Sequence, residues 1–172
     1  MDALEAILTR KSIKKYKSEP VPKDLIDKVI QAGLSAPSGL NKQSPIIIAV
    51  TNKEVRDKLS FINAGSDPFN RKDPFYNAPC VLVVLADKSV PTYLYDGPLV
   101  MQNMLLSAHA LGLGACWIHR AKETFNGEYG KSLLKELGIE GEYEGIGNCI
   151  LGYPDIDPDK KPIKENRVYY ID

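Results

Sequence analysis

Two short stretches hold the side chains best suited to chemistry. Arg10-Lys11-Ser12-Ile13-Lys14 packs three cations and a hydroxyl into five residues. Arg supplies a two-pronged planar donor, Lys a point charge and Ser a hydroxyl, a set that suits a phosphate monoester. Pro37-Ser38-Gly39-Leu40-Asn41-Lys42-Gln43 is turn-forming and rich in amide and hydroxyl groups, which suit the polar edge of a planar heteroaromatic ring. Taken singly, the first stretch also reads as a solvated basic helix end, where cations complement the macrodipole. The second also reads as an ordinary helix-to-strand connection.

Other chemistries lack their residues. There is no GxGxxG, Walker loop or GxSxG, and the glycines at 112 and 114 follow a helix and precede a strand, the reverse of a dinucleotide fingerprint. His109 and His119 have no partners at metal-ligand spacing, so no metal site is expected. His109 reads as a satisfied imidazole in a core helix, and His119 follows a strand end at Trp117-Ile118. Cys80, Cys116 and Cys149 are widely separated and flanked by apolar residues. They read as buried free thiols, which suits a reducing cytosol. The 22 basic and 22 acidic residues balance, so no global field favours nucleic acid or an anionic membrane. The N-terminus carries Asp2 and Glu5 where a signal peptide needs base, and no apolar run nears the ~20 residues of a membrane span. The expectation is a cytoplasmic protein without a nucleic-acid or membrane partner.

The elements that must position these groups follow from periodicity. Asp2 caps a first helix with Leu4, Ile7 and Leu8 on one face, so the basic cluster sits at or beyond that helix's end. Pro22 opens a second helix striped by Leu25, Ile26, Val29 and Ile30, stopped by Gly33 and Pro37. Ile46–Val50 reads as a strand buried on both faces, followed by a short helix over Lys53–Leu59 capped by Asn52. Asn63–Asn77 reads as a long loop, and Val81–Ala86 as a second buried strand. Asp96–Leu111 is apolar nearly all round, which predicts a helix buried in the core or in a subunit interface. Ala115–Ile118 is a third strand, Leu133, Leu134 and Leu137 mark a helix stopped by Gly138, and Gly147–Leu151 is a fourth strand. Residues 167–171 read as an added edge strand or a docking arm. The 172 residues form one domain of mixed α/β or α+β class, with helices packed on a sheet.

In order and spacing, Arg10-Lys11-Ser12, Pro37-Ser38-Gly39-Leu40-Asn41-Lys42-Gln43, Gln102-Asn103-Met104-Leu105-Leu106-Ser107-Ala108, Gly112-Leu113-Gly114 and Leu151-Gly152-Tyr153-Pro154 resemble the nitroreductase family nearly end to end. The resemblance implies an α+β fold with a central, mainly antiparallel sheet flanked by helices. It also implies a homodimer with two FMN sites at the subunit interface, each built from both chains. Carried over by position, Arg10 and Ser12 would hold the FMN phosphate and ribityl end, with Lys11 where the family has Arg or His. Lys14 would approach flavin N1 and O2. Pro37, Ser38 and Gly39 would contact the ring system from the partner subunit, with Asn41 and Gln43 bracing that loop. Backbone groups at Ile118, His119 and Arg120 would face N5 and O4, and Asn70 the pyrimidine edge. Lys161 and Lys164, on a docking tail over 154–172, would return to the phosphate.

The implied activity is ping-pong hydride transfer from NAD(P)H through flavin N5 to nitroaromatics, quinones or similar conjugated electrophiles. The chemistry resides on the flavin, so no catalytic side chain is expected and Lys14 tunes the cofactor. A family relative performing reductive dehalogenation or pteridine or enone reduction, and a flavin-binding storage or sensing module, are the alternatives. The chain departs from the pattern at Gly39, which replaces a serine, at Gln43-Ser44-Pro45, which lacks an aromatic, and at Ile163, where a tail arginine is common. It also lacks the long helical insertion of larger members.

Overall fold

Val81 through Ala86, a run without a polar side chain, is completely buried, because helices cover both faces of the strand it forms. The computed structural model describes residues 1–65 and 71–171. Strands β1 (Pro45–Val50), β2 (Cys80–Asp87), β3 (Gly114–Ile118) and β4 (Tyr143–Gly152) form one antiparallel sheet in the order β1-β2-β4-β3. The helices are α1 (Ala3–Thr9), α2 (Lys23–Leu34), α3 (Lys53–Ala64), α4 (Tyr93–Ala110), α5 (Ala121–Asn126) and α6 (Glu128–Glu136).

The period of two along β2 sorts the core into two layers. Cys80, Leu82, Val84 and Ala86 pack with Ile26 and Val29 of α2 and Met101, Met104 and Leu105 of α4. Val81, Val83 and Leu85 pack with Leu59 of α3, Ala121 and Phe125 of α5, and Phe75. Each fully buried aliphatic of this kind contributes roughly 1.5–3 kcal/mol. Asp2 and Asn52 cap α1 and α3 as expected, accepting from the Glu5 and Val55 amides at 2.8 and 3.1 Å. The antiparallel sheet flanked by helices is the architecture that the family resemblance implied.

Several elements differ from the sequence reading. β1 is an edge strand with Ala49 exposed, not a strand buried on both faces. Its β-branched run reflects strand propensity as much as burial. Helix α4 begins three residues earlier than read, at Tyr93, and within one chain Leu94, Tyr95 and Leu99 are exposed. Helix α3 runs on to Ala64 and so takes in Asn63, and the short α5 went unread because it has barely more than one turn of pattern. Residues 167–171 form no strand, and the edge of β3 is occupied instead by residues 12 and 13 of the basic stretch. Among the described residues no helix is long and apolar enough to cross a membrane.

Candidate functional site

Beyond α1 the chain turns into extended backbone at Arg10 and lies along the outer edge of β3. Ser12 pairs with Ala115, the Ile13 amide donates to the Ala115 carbonyl at 3.1 Å, and the Lys17 amide donates to the Tyr153 carbonyl at 3.0 Å. Two motif glycines make this approach possible. A Cβ on Gly114 would lie 2.9 Å from Ile13, and one on Gly152 would lie 2.9 Å from the Tyr16 ring. The Tyr16 hydroxyl donates to the Ile13 carbonyl at 2.6 Å, and burial drives its acidity far below that of a free phenol, keeping it a donor.

Alternation along this segment separates its cations. Ile13 is buried, while Ser12 and Lys14 are exposed and Arg10 half-buried. Arg10, Ser12 and Lys14 converge near Cys116: burial pushes that thiol up, while the Ser12 hydroxyl and the charges of Lys14, Arg10 and Arg71 pull it partly back. Burial also pushes Cys80 up to about 12, and all three cysteines are free, buried thiols. Among the described residues neither Arg10 nor Lys14 has a carboxylate partner. Lys11 turns the other way and pairs with Asp157 beside a cavity of about 450 Å³ that it shares with His109. His109 shares a 2.8 Å hydrogen bond with Thr9. Burial, then the nearby Arg10 and Lys11 charges, lower its pKa.

The turn after β3 is braced from below. The buried Asn148 side-chain amide donates to the Ile118 carbonyl at 3.4 Å, and that of the buried Asn63 donates to the His119 carbonyl at 2.9 Å. His119 is exposed, and Arg120 takes a left-handed φ of 78° where α5 begins. The buried Arg120 Nε has no hydrogen-bond partner among the described residues, although its guanidinium reaches Glu123 at 3.5 Å.

The amide-rich loop is built on Asp96 in the first turn of α4. That carboxylate accepts from the Gly39 amide at 3.0 Å, Ser44 at 2.7 Å and Thr92 at 3.0 Å. A Cβ on Gly39 would sit 2.3 Å from the Thr92 hydroxyl, so glycine fits here where the family has serine. Ser38 accepts from the Gln43 amide at 2.9 Å, and Asn41 accepts from the Gln43 side chain at 3.1 Å, so Asn41 and Gln43 are tied to one another. Burial works to raise the Asp96 pKa, but the three hydrogen bonds outweigh it and hold the carboxyl low. Asp96→Asn should cost about 1–3 kcal/mol, since one buried donor faces an amide NH₂ instead of an oxygen; urea denaturation measures it. The wild-type advantage over this variant should be present above about pH 4 and fade as pH falls through the lowered Asp96 pKa.

Within one protomer these pieces do not all meet. The basic segment and the 118–120 turn lie at the β3 edge, whereas Pro37, Ser38, Gly39 and Asn41 precede β1 at the opposite edge. Three strand spacings of roughly 4.8 Å separate the two edges. Lys161 and Lys164 lie on an exposed tail, and Asn70 lies outside the described residues. Seven described non-glycine residues have positive φ. Leu40, Asn41 and Gln43 are in the loop, Arg120 is in the turn, Tyr76 stands beside Lys14 with Asn77 next to it in sequence, and the seventh, Asn166, is in the tail. Backbone strain of this kind collects where function overrides local preference.

The family model described as the nitroreductase family matches residues 7–153. The chain belongs to the nitroreductase family. It is 30% identical over 165 residues to a putative NADH dehydrogenase/NAD(P)H nitroreductase of Archaeoglobus fulgidus, with 92% of this chain and 88% of that protein covered. A protein of the same description from Methanothermobacter thermautotrophicus is 37% identical over 121 residues, which cover 68% of this chain. The match spans 60% of that relative's length. The crystal structure of a nitroreductase with bound FMN from Desulfitobacterium hafniense superposes with a TM-score of 0.89 at 24% identity, over the whole of both chains, a likeness of fold.

In this nitroreductase-family chain, Gly114 and Gly152 leave room for Ile13 and Tyr16 of the basic segment to pack against the sheet edge. Sequence reading missed Asn63, Asn148 and Asp96, because each acts on backbone groups distant in sequence. It also passed over the turn at Asp73-Pro74-Phe75-Tyr76-Asn77, which its Asp-Pro start signals.

Proposed function

We propose that this chain is an FMN-dependent NAD(P)H oxidoreductase that works as a homodimer. The observation that carries this reading is the donor set Arg10, Ser12 and Lys14, gathered on an edge segment beside a braced turn, with no described carboxylate against either cation. A phosphate-bearing flavin fits that set: a dianion needs converging, uncompensated donors. In this reading Arg10 and Ser12 hold the phosphate and ribityl end, while Lys11, committed to Asp157, contributes through the long-range field. The Ile118–Arg120 backbone, fixed by Asn63 and Asn148, faces N5 and O4. When bound, FMN supplies an N5 that takes a hydride from a reduced nicotinamide and passes it to a nitroaromatic, quinone or similar conjugated acceptor. The protein's task is then to hold both stacked partners in place.

Opposite sheet edges leave Pro37, Ser38 and Gly39 for the partner subunit's site, braced by Asn41 and Gln43. Exposed Leu4, Ile7 and Leu8 on α1 and Tyr95 and Leu99 on α4 supply apolar surface for dimerisation. The tail, with exposed Val168, Tyr169, Tyr170 and Ile171, serves as the docking arm, and Lys161 and Lys164 on it return to the phosphate. Three free buried thiols suit a reducing cytoplasm.

The visible spectrum of the purified protein, followed by anaerobic addition of NADH or NADPH, tests this reading. Flavin bands near one per subunit that bleach with a nicotinamide are expected. A colourless protein that takes up no FMN would overturn it. Lys14→Ala should lower the two-electron flavin potential by roughly 20–40 mV, the equivalent of losing about 1–2 kcal/mol of stabilisation of the reduced anion. Spectroelectrochemistry measures the shift, and an unchanged potential removes Lys14 from the flavin's pyrimidine end.

A further inference from the structure

Tyr76 and Asn77 stand consecutively in the left-handed region, at φ 52° and 55°, a conformation that a bulky tyrosine rarely accepts. The turn is clamped into it by Asp73. The Asp73 carboxylate accepts from the Phe75 amide at 3.0 Å and the Asn77 amide at 2.6 Å, and the Asp73 carbonyl accepts from the Tyr76 amide at 3.1 Å. Below, Phe75 is 1% exposed in the core, and Arg56 donates to both the Ala78 carbonyl and Asp73, at 3.2 and 2.8 Å.

The clamp aims the tyrosine at the edge of β3. Lys14 Nζ lies 5.8 Å from the Tyr76 ring centroid and the Arg71 guanidinium carbon 6.0 Å from it. Arg71 also donates to the Tyr76 hydroxyl at 3.0 Å. Two cations thus share one neutral aromatic.

We propose that Tyr76 is the positioning residue of Lys14, a neutral anchor that orders its ammonium at the pyrimidine end of the flavin. This rests on the flavin reading of Lys14 given above. The choice of an aromatic has a physical reason. Lys14 is exposed on a flexible stem, so without an anchor its ammonium would sample solvent. A carboxylate anchor would hold it but cancel the charge that an anionic ligand needs. A ring face confines the ammonium and leaves its charge available.

Full-length Tyr76→Leu and Tyr76→Phe proteins, titrated with FMN after cofactor removal and then measured for potential, test the assignment. Tyr76→Leu should bind FMN about five- to tenfold more weakly and at a lower potential, the scale of a lost cation–π anchor. Tyr76→Phe keeps the ring and should retain most of both, which also guards against a folding defect in the leucine variant. In a Lys14→Ala background, Tyr76→Leu should add little further change in potential, because the group it positions has gone. Fully additive potential shifts, or variants with wild-type affinity and potential but lower melting temperatures, would overturn the proposal and leave the flavin reading intact. Wild-type protein that binds no FMN would overturn both.

Discussion

Asp73→Ala is expected to destabilise the protein by about 3 kcal/mol, the low end of the range for removing one partner of a buried ion pair, because the Asp73 side chain is 25% exposed and Asp57 still pairs with Arg56. Arg56 is 7% exposed, and its guanidinium donates to Asp73 at 2.8 Å from inside the α3 layer. Ser60 donates to the same carboxylate at 2.5 Å, and the Phe75 and Asn77 amides complete its shell. The alanine variant leaves a buried cation half-paired and three donors without an acceptor. Asp57 also accepts from Arg56, at 2.8 Å, but its side chain is 43% exposed. Asp57→Ala should therefore cost less than about 1 kcal/mol. Urea denaturation of the two variants separates these values, and equal small losses would show that Asp73 is not the anchor. For Asp73, burial raises the pKa, and the hydrogen bonds from Arg56, Ser60 and the Asn77 amide more than offset that, leaving it lowered. The stability it supplies is fully present above the unfolded carboxylate value, near pH 4, and is lost as pH falls through the lowered folded value. The difference between wild type and Asp73→Ala should accordingly shrink in acid.

Arg10→Ala should weaken FMN retention by roughly 10- to 100-fold, the equivalent of about 1.5–3 kcal/mol for charge-assisted hydrogen bonds to a phosphate. Quenching of FMN fluorescence by cofactor-free protein measures it. Stability without cofactor should hardly change, because Arg10 has no carboxylate partner among the described residues. Lys11→Ala is the matched control. It removes a cation of equal charge one residue away, but one already paired with Asp157, so retention should fall far less. If both variants lose affinity equally, the phosphate responds to a general field rather than to the Arg10 fork, and unchanged retention in Arg10→Ala removes that residue from the site.

Much of this arrangement was legible in the chain. The caps at Asp2 and Asn52, the buried run of β2, the free thiols and the ordered motifs of the family are local signals, written within a few residues of one another. The edge position of β1 was not legible, because an apolar run does not state which neighbours will cover it. Sequence alone also placed five basic-stretch residues together without distinguishing their directions.

The residue order by itself determined the family, the sheet-and-helix class and the presence of a basic, hydroxyl-bearing segment beside a helix end. Only the tertiary structure decided that Lys11 faces Asp157 while Arg10, Ser12 and Lys14 converge near Cys116. It alone decided that Asn63 and Asn148 hold the turn after β3, and that Tyr76 is forced toward Lys14. The physical reason is the same in each case. Alternation and capping act within a few residues, whereas a buried amide or a clamped turn takes its partner from whatever segment the packed sheet brings alongside.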